Sequence, residues 1–330
     1  MRASFEQPTV KIHPLRVIAT GAFGVLLIAA SLLPVHARVD NHSLDFVAEH
    51  LPEVAMDNRI ASLPLWTRLN SAARQDWNFS VQGGYADIRA NTLKFAGRML
   101  SAAAIRPIAA DWQFSAFGFI DEYRLSSGVE RRPLDVTFAR SVPLSLPAQT
   151  EFSGLSGSAR HTGIGVALRQ DSTSERWGRY LWSVGVLWQR FTLRDYAFDY
   201  RVLEGASSGA RGRIDYSTTY AHLTPFVGMA WPRDYGEWMS TPHVKFALPM
   251  PRRGVVGQIT GPGFVAGGDT ASSGQGRHFG DASITVGWDI GYRPWGLTVD
   301  IGSVISQALL EPIINKGVNQ TLMLSFRWDH

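Results

Sequence analysis

From Trp77 to the end of the chain, apolar and polar residues alternate with a period of two. In "DASITVGWDIGYR" (281–293), Ala282, Ile284, Val286, Trp288, Ile290 and Tyr292 oppose Asp281, Ser283, Thr285, Gly287, Asp289, Gly291 and Arg293. After the connection "RPWG", Trp295, Leu297, Val299 and Ile301 oppose Gly296, Thr298, Asp300 and Gly302. "WNFSVQGGY" sets Trp77, Phe79, Val81 and Tyr85 on one face, and "LWSVGVLWQ" does the same with Trp182, Val184, Val186 and Trp188. Period two belongs to strands, whose successive side chains leave opposite faces. These stretches run to about 10–20 residues, where soluble strands average five or six. Crossing a bilayer at a tilt takes ~9–11.

Beyond Ala37 no apolar run approaches the ~20 residues of a spanning helix, so any further membrane insertion must use strands. Charged residues make up 18%, below the ~25% of soluble globules, yet mean hydropathy is only −0.06. With 32 Gly, 11 Trp, 9 Tyr and 17 Phe, this suits one apolar face and one polar face. Trp77, Trp182, Trp188, Trp231, Trp288, Trp295 and Trp328 sit near the ends of apolar stripes, where an interfacial girdle would require them. The fold expected is all-β: a closed antiparallel transmembrane β-barrel. The formal charge of +4 is no footprint for nucleic acid, which would need clustered Lys and Arg. The absence of cysteine excludes disulfides, thiolate metal sites and cysteine nucleophiles.

Residues 1–37 read as a secretory signal. Arg2, Lys11 and Arg16 precede the apolar "VIATGAFGVLLIAASLL", and Val35 and Ala37 supply the small residues of a cleavage site. Residues 38–75 carry acidic and apolar residues at helical spacing, broken by Pro52 and Pro64. They are expected to form a short helical N-terminal leader, either a periplasmic cap or, on the sharper reading, a plug. The barrel then occupies 76–330.

Eleven candidate strands fall at 76–88, 92–104, 111–124, 131–142, 157–170, 178–195, 212–231, 238–250, 281–293, 295–305 and 319–329. A single-chain barrel with both termini in the periplasm needs an even number. The alternation of short turns and long loops holds from the C-terminus back to residue 131. The miscount is therefore expected within 76–130, giving about twelve strands, with ten as the other even solution. The segment 251–280 holds nine glycines but no Gly-Lys-Ser/Thr ending, so it reads as a surface loop or a lid over the lumen.

The signal, the alternating strands and the closing "LMLSFRW" together resemble Gram-negative outer-membrane β-barrel proteins. In that family the last strand alternates hydrophobics and ends in an aromatic, which the barrel-assembly machinery reads. Leu322, Leu324, Phe326 and Trp328 match, although Asp329 and His330 follow the aromatic. The resemblance implies the cell outer membrane as location, and outer-membrane lipid, lipopolysaccharide and the assembly machinery as partners. A helical leader before about twelve strands is also similar to an autotransporter translocator domain lacking its passenger.

Catalytic sets are sparse. His161, with Gly163, Gly165 and Arg169, is expected to face the lumen, as is His243 with Thr241 and Lys245. His222 sits where the apolar phase slips between Tyr220 and Leu223. No hydrolase motif accompanies them, and no metal-ligand spacing or cofactor signature is present. Asp289, Arg293, Asp300, Arg327 and Asp329 are expected to form a lumen charge cluster, paired across strands or setting the ion preference of a pore. The leading expectation is a passive pore or small-solute channel. An autotransporter-like structural barrel plugged by its leader, or a lipid-modifying enzyme using His161 or His243, are the alternatives.

Overall fold

A computed structural model describes residues 59–60, 63, 77–90, 93–138, 142–205, 208–248, 255–260, 270–272, 283–304 and 320–329. The expected signal and most of the leader and of the 251–280 loop lie outside them. The period-two segments form β1 (Asn78–Ala90), β2 (Leu93–Pro107), β3 (Trp112–Ser126), β4 (Glu130–Phe138) and β5 (Val142–Ser174). They continue as β6 (Gly178–Val202), β7 (Arg211–Ala230), β8 (Arg233–Tyr235), β9 (Trp238–Ala247) and β10 (Val255–Thr260). β11 (Thr270–Ser272), β12 (Ser283–Tyr292), β13 (Leu297–Val304) and β14 (Gln320–Asp329) complete the chain.

All pairings are antiparallel and belong to one sheet. Its wall runs β1-β2-β3-β5-β6-β7-β9-β12-β13-β14, and β14 pairs back on β1 from Ser80↔Asp329 to Arg89↔Gln320. β4 pairs only with β5 and only from Val142 to Phe152, beyond the part of β5 that meets β3. The candidate strand at 131–142 is thus an arm on β5, not a member of the wall. Periodicity cannot tell the two apart, because an arm alternates like any strand. The long loops expected at 143–156 and 196–211 are mostly strand as well: β5 and β6 continue into them and stay paired up to Thr150↔Val202. Both strands kink there through register shifts, and Asp195 takes φ 52 at the irregularity on β6. Bulges re-aim strands in this way, and Asp is among the few residues that tolerate the left-handed region.

The tight connections at 108–111, 175–177, 231–237 and 293–296 share the end where β1 begins and β14 finishes. Gly296, at φ 60, closes the last of them behind a 3-10 turn over Arg293–Trp295. Tryptophans gather at this rim. Trp112 meets Trp182 edge-on at 5.2 Å, Trp177 lies 6.5 Å from Trp231, and Tyr292 stacks near both Trp238 and Trp295.

On the wall strands whose side chains are described, one face is buried and the other is exposed or half-buried. Trp77, just before β1, and Phe79, Val81 and Tyr85 on it are exposed, as are Ile164, Val166 and Leu168 on β5, and Leu223, Val227 and Met229 on β7. Opposite them, Ser80, Gln82, Ser101, Thr224, Thr241 and Thr298 are buried. The sheet therefore hides its polar face and presents its apolar one, the reverse of a soluble domain. The hidden face also holds aromatics that meet across strands, such as Phe117 and Phe226 at 6.2 Å.

Candidate functional site

Two polar clusters sit on the buried face. The first follows from register: Asp121 on β3 lies directly opposite His161 on β5. His161 Nδ1 is 3.6 Å from Asp121 Oδ2, and its Nε2 is 3.1 Å from Gln189 Oε1. Gln189 in turn donates to Thr224 Oγ1 at 3.1 Å, and Tyr123 donates to Asp121 at 3.5 Å. Phe119 packs edge-on to the imidazole at 4.8 Å. Both Asp121 and His161 are wholly buried.

The counter-charge of Asp121 comes from the leader. Arg59, 1% exposed, lies with Nη2 at 3.6 Å from Asp121 Oδ1 and donates to Leu100 O at 3.0 Å. Its guanidinium sits 4.4 Å over the Phe119 ring. Ile60 and Leu63 are buried among Phe117, Phe119, Leu187 and Phe226. The described part of the leader, Arg59, Ile60 and Leu63, therefore packs against the hidden face of the wall.

The second cluster joins β9, β12 and β13. Asp289 and Asp300 are directly opposite, a like-charge pairing that is unfavourable alone. His243 answers it, with Nε2 at 3.4 Å from Asp289 Oδ1 and 3.5 Å from Asp300 Oδ1. Gln82 donates to Asp300 at 3.4 Å, and Ser101 donates to Gln82 at 3.1 Å. Lys245 follows on β9 and donates to Leu63 O at 3.3 Å, so this cluster also touches the leader. Gly287, opposite His243, makes the room: a Cβ there would fall 2.2 Å from His243 Cε1. Ligand atoms of His243, Asp289 and Asp300 lie within 4.8 Å of one another, a spacing open to a cation. The ammonium of Lys245 already supplies positive charge on the same wall.

Of the expected site residues, Asp289 and Asp300 are brought together, and His161 and His243 both face inward. Arg293 departs from the cluster. It lies exposed in the 3-10 turn and pairs with Asp234, because β12 ends at Tyr292 and alternation stops there. The backbone register sets Arg327 opposite Thr298 and Gln82, Asp329 opposite Ser80, Phe326 opposite Val299, and Trp328 opposite Leu297. Leu322 and Leu324 face Asp87 and Tyr85 across the ladder. The side chains of these β14 residues lie outside the described ones. His222 is buried with Tyr220 on the inner face, so the phase does not slip: the inner wall simply carries a tyrosine. Asp121, Gln189 and Arg59 were not singled out by the sequence, and Lys245 was placed only as a neighbour of His243 on the lumen side. Parity could have found Asp121 and Gln189.

Beyond the wall, an extension built on β5, β6 and β7 buries Tyr196 between Phe198 and Tyr216. Burial, then the charge of Glu130, pushes the Tyr196 phenol up from its ordinary value.

No family model matches the chain, and no curated protein matches it. Among solved structures it is similar to the outer membrane protease OmpT of Escherichia coli, at 10% identity and a TM-score of 0.35, covering 79% of this chain and 100% of that one. It is also similar to the translocator domain of the autotransporter NalP of Neisseria meningitidis, at 8% identity and a TM-score of 0.36, over 87% and 98%. A third is the TodX monoaromatic hydrocarbon channel, at 9% and 0.26, over 78% and 90%. The likeness to outer-membrane proteins drawn from the closing strand is met again in these structures. At such scores they carry no argument about what this chain does.

Proposed function

We propose that the chain is an outer-membrane β-barrel of ten strands whose lumen is closed at rest by its own leader, and that it acts as a gated small-solute channel. The ten strands are the wall strands, closed through β14 and β1, and the tight-turn end with its tryptophans faces the periplasm. Exposed apolar positions on the wall support the membrane placement. From Trp77 to Tyr85 they cover about 27 Å of chain at ~3.4 Å per residue, or roughly 20 Å of height at a ~40° tilt, most of the ~25 Å apolar band of such barrels.

The observation that carries the gated reading is Arg59, buried between Phe119 and Asp121, with Leu63 O held by Lys245. Among the described residues the leader is held by one ion pair, two charge-assisted hydrogen bonds and the burial of Ile60 and Leu63, a small set of contacts for a removable closure. Once it leaves, Asp121, His161, Lys245 and the Asp289–Asp300 pair would line a wet passage of mixed charge. The autotransporter-like reading shares the plug but needs no gating. A lipid-modifying enzyme fits less well, since the three described histidines all face away from the lipid side.

Single-channel recording in planar bilayers tests this, comparing the mature chain with one lacking residues 38–75. The deleted form is expected to conduct steadily and the mature form to be closed most of the time. If neither conducts, the channel reading fails and a structural barrel remains.

A further inference from the structure

On the exposed face of the wall, β2 and β3 carry unusually small residues. Ala102 stands opposite Gly118 and Ala104 opposite Ala116. The larger side chains of Phe79 and Val81 on one side, and Ile164 and Val166 on the other, rise as banks. The result is a groove of about 680 Å³ on the outer surface, extended by Trp188 and Leu223. It is almost wholly apolar, and it crosses the wall from β1 to β7, about three residues tall on each strand.

Directly beyond the groove, away from the tight-turn end, the same strands change character. Leu100 and Ile120 come first, then Arg98, Glu122 and Arg160 in one continuous row across β2, β3 and β5. The next row outward holds Arg124 and, opposite Ser158, Arg194; Arg190 stands two residues above Trp188, and Lys94 lies further out on β2. All six cations are exposed on the face that bears the groove. Three acidic residues share the patch: Glu122, which takes Arg160 at 2.7 Å, Asp87, opposite Ala96, and Asp195, exposed beside Arg194 at the irregularity of β6. With six cations the patch is three charges positive. From the groove floor at Ala102 to Arg98 is four residues, about 13 Å at ~3.3 Å each.

We propose that this surface is a docking site for the phosphorylated glycolipid of the outer leaflet, lipopolysaccharide. An acyl chain lies in the Ala/Gly groove, and the lipid's phosphates rest on Arg98, Arg124, Arg160, Arg190 and Arg194. Three observations choose this occupant. The groove is apolar and open to the bilayer side, so it takes hydrocarbon. Six cations crowd one end, against the single exposed Arg106 over Trp77 at the other, so the ligand is an amphiphile with a strongly anionic head. Arg forks suit phosphate in particular, and five of the six cations are Arg. The cap lies opposite the periplasmic turns, which selects the outer leaflet. The inference rests on the outer-membrane placement proposed above.

The test uses the mature chain and two variants. Arg98→Gln/Arg124→Gln/Arg194→Gln removes half the cations. Ala104→Leu/Ala116→Leu fills the groove with side chains that lipid tolerates. Native mass spectrometry in detergent counts bound lipid after addition of rough-type lipopolysaccharide, or separately of dioleoyl phosphatidylglycerol. One lipopolysaccharide per wild-type chain is expected, with tenfold or greater loss of retention in each variant and no comparable retention of phosphatidylglycerol. Equal retention by wild type and both variants overturns the proposal, and so does equal retention of the two lipids. Loss in only one variant overturns the half of the site that the other variant addresses. Heat-modified gel mobility reports folding. Should the triple variant not fold, Arg124→Gln and Arg190→Gln singly carry the same prediction. Membrane fractionation separates the two readings: a chain absent from the outer membrane sinks the placement, whereas a folded chain there that ignores lipopolysaccharide sinks only the docking site.

Discussion

Replacing Arg59 by alanine should open the barrel without unfolding it. In the closed state Asp121 is wholly buried, with the guanidinium 3.6 Å away as its counter-charge. Removing one partner of a buried ion pair costs about 3–5 kcal/mol, because a carboxylate is left uncompensated. The guanidinium over Phe119 adds roughly 1 kcal/mol more. In the open state the plug is gone and water solvates Asp121, so the same substitution costs almost nothing. The whole penalty falls on closure, and 3–5 kcal/mol is about a hundredfold to a few thousandfold in the open-to-closed ratio. The open fraction in single-channel records of Arg59→Ala should therefore approach that of the chain lacking 38–75. Arg59→Met combined with Asp121→Asn removes both charges and should restore closure, a non-additivity that a double-mutant cycle measures. If Arg59→Ala stays as closed as wild type while the deletion conducts, the ion pair does not hold the plug and the reasoning is refuted.

Gly287→Ala drives a methyl group into His243 and should cost about 1–3 kcal/mol in denaturant unfolding from micelles. His243→Ala should cost about 3–5 kcal/mol by stranding Asp289 against Asp300, and the double variant should lose less than the sum. Val166→Arg, on the exposed face of β5, should cost roughly 2–4 kcal/mol in lipid vesicles if that face meets hydrocarbon. A water-facing position would change by less than ~0.5 kcal/mol. The raised phenol of Tyr196 lies past Arg190 and Arg194, on the extension outside the apolar band. Its contribution to stability is complete below the ordinary tyrosine value of about 10 and is lost as pH rises above it. Wild type should therefore loosen above pH ~10 relative to Tyr196→Phe, read by unfolding midpoints across that window.

The period-two pattern made much of the site legible. Parity alone put His161, His243, Asp289 and Asp300 on one side of the wall, and that is where they lie. It misled at three places, each for a physical reason. Arg293 continued the pattern on paper, but the strand ends at Tyr292 and the turn carries the side chain out to Asp234. Residues 131–142 alternate like a wall strand yet pair only with the outer reach of β5. Asp121 escaped notice because its neighbours of like parity are Phe119, Tyr123 and Leu125, an aromatic and aliphatic set that looks lipid-facing and is buried inside.

Taken by itself, the sequence determined the strands, their two faces and the chemistry of each face, because side-chain direction in a strand is set locally by the pleat. Which strands neighbour one another was decided by the tertiary pairing. Asp289 meets Asp300 through a tight turn, but His243 reaches them, and Asp121 reaches His161, only through register between segments far apart in the chain. The role of the leader is the extreme case. Nothing local in Arg59 or Leu63 marks where they pack; the wall decides it by offering a carboxylate, an ammonium and an aromatic cluster there. The outer groove and its cationic cap arise likewise, from small residues on β2 and β3 aligned across the ladder.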